Sequence, residues 1–454
     1  MNELLKHIYN ACDPIKPATA EYYFDCGEAR GEGALSEQFL SHLNLANDYI
    51  RFLFSGHIGC GKSSELERLC EALKIPSPNR KRYFPILLNV SEYLDDYDSS
   101  FTDILLAIVT ELAATLRDEL NIELKDSYFT KRINEIREFL QSEVEVNEGE
   151  LELGFMKAKI QRLRRDPDAR KKVRLQLEPK MITMLEEINT VFDEARLAVK
   201  KHKVPKGGKP YSDFVLILDN LEKIRKIQGF KEGLESQREL FLERYTQLTS
   251  MRAHVIYTVP LRLARSAIGP QLEMRYGPLF VLPMIKVSER GTRHAFEQGL
   301  QCLRRLLQKR LGGHKVEEVF EKDALDFLLN YSGGHARNVM SFVQSACTYS
   351  EDLPITLSAI QRAVQQTVRI YSTAIPESHW EKLAELDRST DQKIPNDDED
   401  YLVMLENLSV LEYLNGGEKD IFSDAEPWYA VNPIVRELQK FKAAAIALSN
   451  EEKR

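Results

Sequence analysis

The sequence predicts an α/β fold: a parallel sheet between helices, followed by an all-helical stretch and a small C-terminal unit mixing helix and strand. Three observations carry this. A glycine-rich loop sits in LFSGHIGCGKSSEL, residues 53–66, between an apolar run and a helical pattern. Further short apolar runs at 83–89, 254–260 and 278–285 alternate with helical periodicity. The run 214–218 is apolar without a break, as expected of a strand covered on both faces.

The first strand is expected at 49–54 and the following helix at 64–73, with Leu66, Leu69, Cys70 and Leu73 on one side. Between them, Gly56, Gly61, Lys62 and Ser63 fit the spacing G-x-x-x-x-G-K-[ST]. Gly56, Gly59 and Gly61 permit backbone angles that side chains resist, so loop N–H groups can converge on phosphate oxygens at the helix N-terminus. Lys62 supplies a point charge for β- and γ-phosphates, the Ser63 hydroxyl a ligand for Mg2+, and Ser64 completes the candidate binding set. The expected cofactors are therefore a nucleoside triphosphate and Mg2+, and the ATPase resemblance given below implies ATP.

After the strand at 83–89, a helix is expected from Ser99 or Ser100, with Ile104, Leu105, Ile108, Leu112 and Leu116 as its apolar stripe. A long, charged, helical insertion follows at 117–207, where Pro167 and Pro179 start or break helices and PKGGKP, 205–210, is a linker. The apolar strand 214–218 ends at Asp219, the position for a carboxylate that holds magnesium; Glu222, three residues on, could orient an attacking water. Thr258 ends the strand within 254–260, and 288–367 reads as helical throughout, with Arg337 opening a helix after a Gly-Gly turn. Near the C-terminus a helix at 401–407, a strand at 410–414, a loop beginning at NGG and a strand near 428–431 look like the second half of a winged helix, with Leu405, Leu408, Leu411, Trp428 and Val431 as core candidates.

These motifs, in this order, resemble the AAA+ and STAND branch of P-loop ATPases, and bacterial conflict-system ATPases in the charged insertion between the two motifs. DNLE, Asp219–Glu222, fits the D-x-x-[DE] form of STAND proteins and departs at Asn220 from the adjacent acid pair of most AAA+ machines, which implies slow turnover. The resemblance implies Thr258 as a γ-phosphate sensor, Arg337 as a lid arginine and Arg275, followed by Tyr276, as an arginine finger acting in a neighbouring subunit. It also implies four regions: an N-terminal arm and helix at 1–48, a P-loop NTPase core at 49–287, a helical lid at 288–372 and a winged-helix domain at 373–454.

Composition limits the partners. No apolar run is long enough to span a membrane, and the N-terminus does not read as a signal peptide. Six scattered cysteines without a C-x-x-C pair suggest a reducing cytoplasm, no disulfide framework and no zinc site. Residues 374–454 carry 9 Lys/Arg against 18 Asp/Glu, a net of −9 within a chain of net −8. That charge opposes DNA binding by the C-terminal unit, where Arg436, Lys440 and Lys442 form the one basic cluster, and favours a protein-contact or autoinhibitory module. The stretch 162–174, with seven Lys/Arg and two Asp, is the best candidate anion patch, although a solvated helical face is the favoured reading. The sequence thus points to an ATP-dependent switch that self-associates and acts on a separate effector protein in antiviral defence. The alternatives are a DNA-associated AAA+ ATPase and an inactive ATP-bound scaffold.

Overall fold

The computed structural model describes residues 2–31, 33–76, 80–124, 161, 164–202, 209–225, 234–416 and 426–451. Most of the charged insertion, the greater part of the linker 205–210 and the loop after Gly416 lie outside them.

Before the sheet come α1 (Glu3–Ala11), α2 (Gly27–Arg30) and α3 (Leu35–Leu45). The sheet is built from β1 (Arg51–Gly56), β2 (Tyr83–Asn89), β3 (Asp213–Asp219), β4 (His254–Thr258) and β5 (Leu279–Leu282). Among the described residues it has five strands in the order β2-β3-β4-β1-β5, all parallel. Two helices follow the first two strands: α4 (Lys62–Lys74) after β1 and α5 (Phe101–Leu120) after β2. The insertion contributes α6 (Pro167–Leu177) and α7 (Met181–Lys201). Pro167 occupies the first turn of α6, where its missing N–H costs nothing, and Asp166 caps it by accepting from the Ala169 N–H. Pro179 lies in the short 3-10 turn between α6 and α7. Ser100 caps α5 in a reciprocal box with Asp103.

Alternate strand residues face two cores. Phe214, Leu216 and Leu218 pack with α5 and α7, whereas Val215, Ile217, Phe52 and Phe54 pack with α3 and α4. This double coverage is why β3 is buried along its whole length.

Between β3 and β5 lie α8 (Leu234–Leu242), α9 (Tyr245–Ser250), α10 (Leu261–Arg265) and α11 (Gly269–Tyr276). Beyond the sheet come α12 (Glu297–Gln308), α13 (Val316–Val319), α14 (Lys322–Tyr331), α15 (Ala336–Cys347) and α16 (Leu357–Ala374). The expectation of helix from 288 onward is corrected at its start: Ser288 and Ala295 form an antiparallel bridge, and the helices begin at Glu297. The C-terminal unit holds α17 (His379–Arg388), α18 (Glu399–Glu406), β6 (Val410–Tyr413), β7 (Trp428–Val431), α19 (Pro433–Arg436) and α20 (Gln439–Glu451). β6 and β7 pair antiparallel, with Tyr413 stacked on Trp428 at 4.6 Å.

A second correction concerns the cysteines. Cys26, at the start of α2, is disulfide-bonded to Cys302 in α12, while Cys12, Cys60, Cys70 and Cys347 are free thiols. Sequence spacing could not show this, because the pair is 276 residues apart and is brought together by packing of α2 on α12. Among the described residues no helix is long and apolar enough to cross a membrane.

Candidate functional site

The carboxyl ends of the strands converge on one place, as open parallel sheets require. β1 runs into the loop 56–61, β3 ends in Asp219, β4 in Thr258 and β2 in Asn89. A cavity of 650 Å³ opens there, lined by Gly59–Glu65, Asp219, Glu222, Arg337 and the arm preceding α2.

Gly56, Gly59 and Gly61 all have positive φ, at 148°, 84° and 114°. Gly59 is also confined by space, since a Cβ there would stand 2.8 Å from His335 Nε2 and 2.9 Å from Arg337 Cβ. The helix begins at Lys62 itself, two residues earlier than its periodicity indicated, because Gly61 in its left-handed conformation forms the N-cap.

Lys62 is buried and donates to Gly56 O at 3.0 Å, to His57 O at 3.2 Å and to Glu222 Oε1 at 3.1 Å. Burial opposes its charge, but the Glu222 carboxylate, with Asp219 behind it, raises its pKa above the usual lysine range. Glu222 is buried as well, but the Lys62 charge beside it outweighs burial and lowers its pKa. Asp219 goes the other way: burial first, then the Glu222 charge, raise its pKa, against a hydrogen bond from Ser63. Two neighbouring carboxylates thus have their proton affinities pushed apart. Ser63 and Asp219 lie together, and Glu222 Oε2 is buried without a hydrogen-bond partner among the described residues. The hydroxyl and carboxylate oxygens fit a Mg2+ site, with Ser63 and Asp219 as the residues that would hold the ion.

Thr258 is fully buried; its Oγ1 donates to Leu218 O and accepts from the Leu221 N–H, each at 3.0 Å. It fixes the turn that presents Glu222. Arg337 lies over the loop, its backbone N–H donating to Gly59 O at 3.2 Å and its Nε to Pro14 O at 3.2 Å. The Ser64 hydroxyl accepts from the Ala18 N–H at 2.9 Å. Arg275 is elsewhere: exposed, donating to Leu242 O at 3.1 Å and 4.8 Å from the Tyr245 ring centre, it does not line the cavity of its own chain.

Several residues around the site carry no motif. His57, in the loop, is fully buried. His335 caps α15 and donates from Nε2 to Ile58 O at 2.8 Å. Arg30 binds the loop through Cys60 O at 2.8 Å and also reaches Pro283 O. Tyr23 donates to Glu65 at 3.1 Å, and Arg310 donates to Tyr22 O at 2.9 Å. The arm 13–24 therefore straps the phosphate-loop helix to Arg310, just beyond α12, and to α15 at the edge of the cavity.

Two basic residues of the stretch 162–174 are committed internally, and the C-terminal basic cluster is paired with acids. Arg170 and Arg174 are buried, with Arg170 2.7 Å from Asp98 and Arg174 2.7 Å from Asp103. Arg436 pairs with Asp387 at 2.6 Å, Lys440 with Glu377 at 2.5 Å and Lys442 with Glu437 at 2.7 Å. Part of the basic stretch thus acts in packing and not as the solvated face its composition suggested.

A glycine loop after a central parallel strand, a Lys-Ser pair opening the next helix and an acid ending a nearby strand define the P-loop class of nucleotide-binding α/β folds. No protein-family model matches the sequence, and no curated protein does. Among solved structures the chain is similar to that of the Aeropyrum pernix ORC1 protein in complex with DNA, with 11% identity, a TM-score of 0.37, and 94% of this chain and 95% of that one covered.

Proposed function

We propose that this chain is an AAA+/STAND-like switch ATPase: it binds ATP with Mg2+, hydrolyses it slowly, and uses the nucleotide state to govern self-association and contact with a separate effector protein. The observation that carries this is the buried Lys62–Glu222 pair beside Ser63 and Asp219 at the mouth of the phosphate loop. Mg2+, when bound, would neutralise charge on the β- and γ-phosphates. Lys62 binds the phosphates, Thr258 holds the turn, and Glu222, once released from Lys62, accepts a hydrogen bond from the attacking water through Oε2. Arg337 closes over the loop from α15, and Arg275, on the outer surface, serves a neighbouring subunit. The organisation shared with bacterial conflict-system ATPases extends the reading to antiviral defence. The acidic charge of the C-terminal unit and the burial of Arg170 and Arg174 in ion pairs favour a protein effector over DNA.

The test is calorimetric titration with ATP and Mg2+, followed by phosphate release. Wild type should bind and turn over slowly; Glu222→Gln should bind and lose turnover. Light scattering with a non-hydrolysable analogue should show a larger species, which Arg275→Ala leaves assembled but slower in turnover by about 10³-fold. Absence of ATP binding by the wild-type chain rejects the reading.

A further inference from the structure

The disulfide between Cys26 and Cys302 stands at the wall of the nucleotide cavity. Cys26 lines that cavity and precedes α2, whose Arg30 grips the phosphate loop. Cys302 lies in α12, with the two Cα atoms 6.1 Å apart. The arm itself is attached near the cavity by non-covalent contacts: hydrogen bonds join Ala18 to Ser64, Tyr23 to Glu65, Pro14 to Arg337 and Tyr22 to Arg310, and Arg68 and Arg310 lie over the Tyr23 and Tyr22 rings. Hydrogen bonds of this kind open and close locally in a folded protein, whereas a covalent crosslink does not. The arm and α12 both border the cavity, and the crosslink ties the residue just beyond the arm to α12.

We infer that Cys26–Cys302 is a thiol–disulfide switch that sets the rate of nucleotide exchange. The inference rests on the nucleotide-binding reading of this cavity and adds a regulatory input to it. The four remaining cysteines are free, so the bond is not part of a stapled framework of the kind small secreted domains use. In reducing compartments single disulfides are typically transient and redox-sensing.

The reaction balances with a dithiol as reductant. One thiolate of the dithiol attacks one sulfur of the pair, displacing the other cysteine as thiolate and forming a mixed disulfide. The second thiolate then displaces the first cysteine, leaving a cyclic disulfide on the reagent and two protein thiols, the protons coming from the dithiol. Cys26 and Cys302 are only 4% and 6% exposed, so the reductant's way in is the cavity that Cys26 lines. A nucleotide seated there covers that route and slows reduction.

The experiment uses the full chain with a fluorescent ATP analogue and Mg2+, oxidised or treated with dithiothreitol. Alkylation and mass spectrometry give the state of the pair. Dissociation of the analogue should be about tenfold faster after reduction, and Cys302→Ser should show the fast rate in both conditions. Equal rates in the oxidised and reduced wild type, with alkylation showing that the bond has opened, overturn the inference. So does a pair found as free thiols before any reductant. The wild-type comparison stands without the variant, whose melting temperature is measured alongside. Absence of analogue binding in both redox states marks instead failure of the nucleotide reading, and the switch falls with it.

Discussion

Nε2 of His57, inside the phosphate loop, accepts the backbone N–H of Glu412, in the C-terminal unit, at 2.9 Å. Its Nδ1 therefore carries the proton and donates to Leu405 O at 3.0 Å. Both ring nitrogens of a loop residue are thus spent on a segment some 350 positions away. Glu412 is itself held by Arg265 through two ion-pair contacts at 2.7 and 2.5 Å, and its carbonyl accepts from the Met284 N–H at 2.9 Å. The loop and β6 are one mechanical unit.

Replacing His57 by Ala should therefore disturb both. It leaves a buried N–H and a buried C=O without partners, at a cost of about 1–3 kcal/mol each. Urea denaturation of the full chain should show that loss, and hydrogen exchange should rise across β6 before it rises across β3. A midpoint unchanged from wild type means that water replaces the imidazole at no cost.

Lys62 and Glu222 should show strong coupling. Lys62→Ala strands a buried carboxylate and should lower stability by about 3–5 kcal/mol while abolishing ATP binding. Lys62→Met with Glu222→Gln removes both charges and should recover most of the stability but none of the binding. A double variant as unstable as Lys62→Ala would show that the pair does not act through charge.

Acid should destabilise the fold. Burial holds His57, His335 and His254 neutral, pushing their pKa values down to about 3, about 4 and about 4. Unfolded, they titrate near ~6.5. The folded values are lower, so the unfolded chain binds more protons in between; the stabilisation is complete above about pH 6.5 and is lost as pH falls toward 4. Each group should contribute about 2 kcal/mol of loss at pH 5. Asp219, raised by burial, works in the opposite sense and softens the slope. Urea midpoints at pH 7 and pH 5 test this, and equal midpoints refute it.

Duplex DNA should bind weakly. The measurement is fluorescence anisotropy of the full chain at low salt, where submicromolar affinity lost steeply on adding salt would favour the DNA-associated alternative. Arg174→Ala, which breaks pairs with Asp98 and Asp103, should lower stability instead of changing any nucleic-acid signal.

What the sequence made legible was local. Gly56 to Ser63 are contiguous, Asp219 and Glu222 are one turn apart, and β2 and β7 occupy the ranges their apolar runs indicate. What it hid depends on chain crossings. The arm 13–24 has no periodicity of its own, and its partners Ser64, Glu65, Arg310 and Arg337 lie from about 40 to 320 residues away. His57 and His335 look unremarkable in sequence because their roles come from backbone groups, which leave no trace in residue identity. Arg170 and Arg174 read as a basic surface until Asp98 and Asp103 are seen to face them.

The pairing of Lys62 with Glu222 makes the loop a counter of charge. All three protons of the ammonium already point at oxygen, one of them an anion held in a buried setting. A singly charged visitor would merely replace one anion with another and lose the loop's carbonyl contacts. A polyphosphate would bring several charges at once, could bind the loop N–H groups as well, and on the proposed reading would displace the carboxylate toward the place where a water is needed. On the proposed nucleotide reading the site would have a threshold: small anions such as chloride or acetate would leave the pair intact, and a triphosphate would break it.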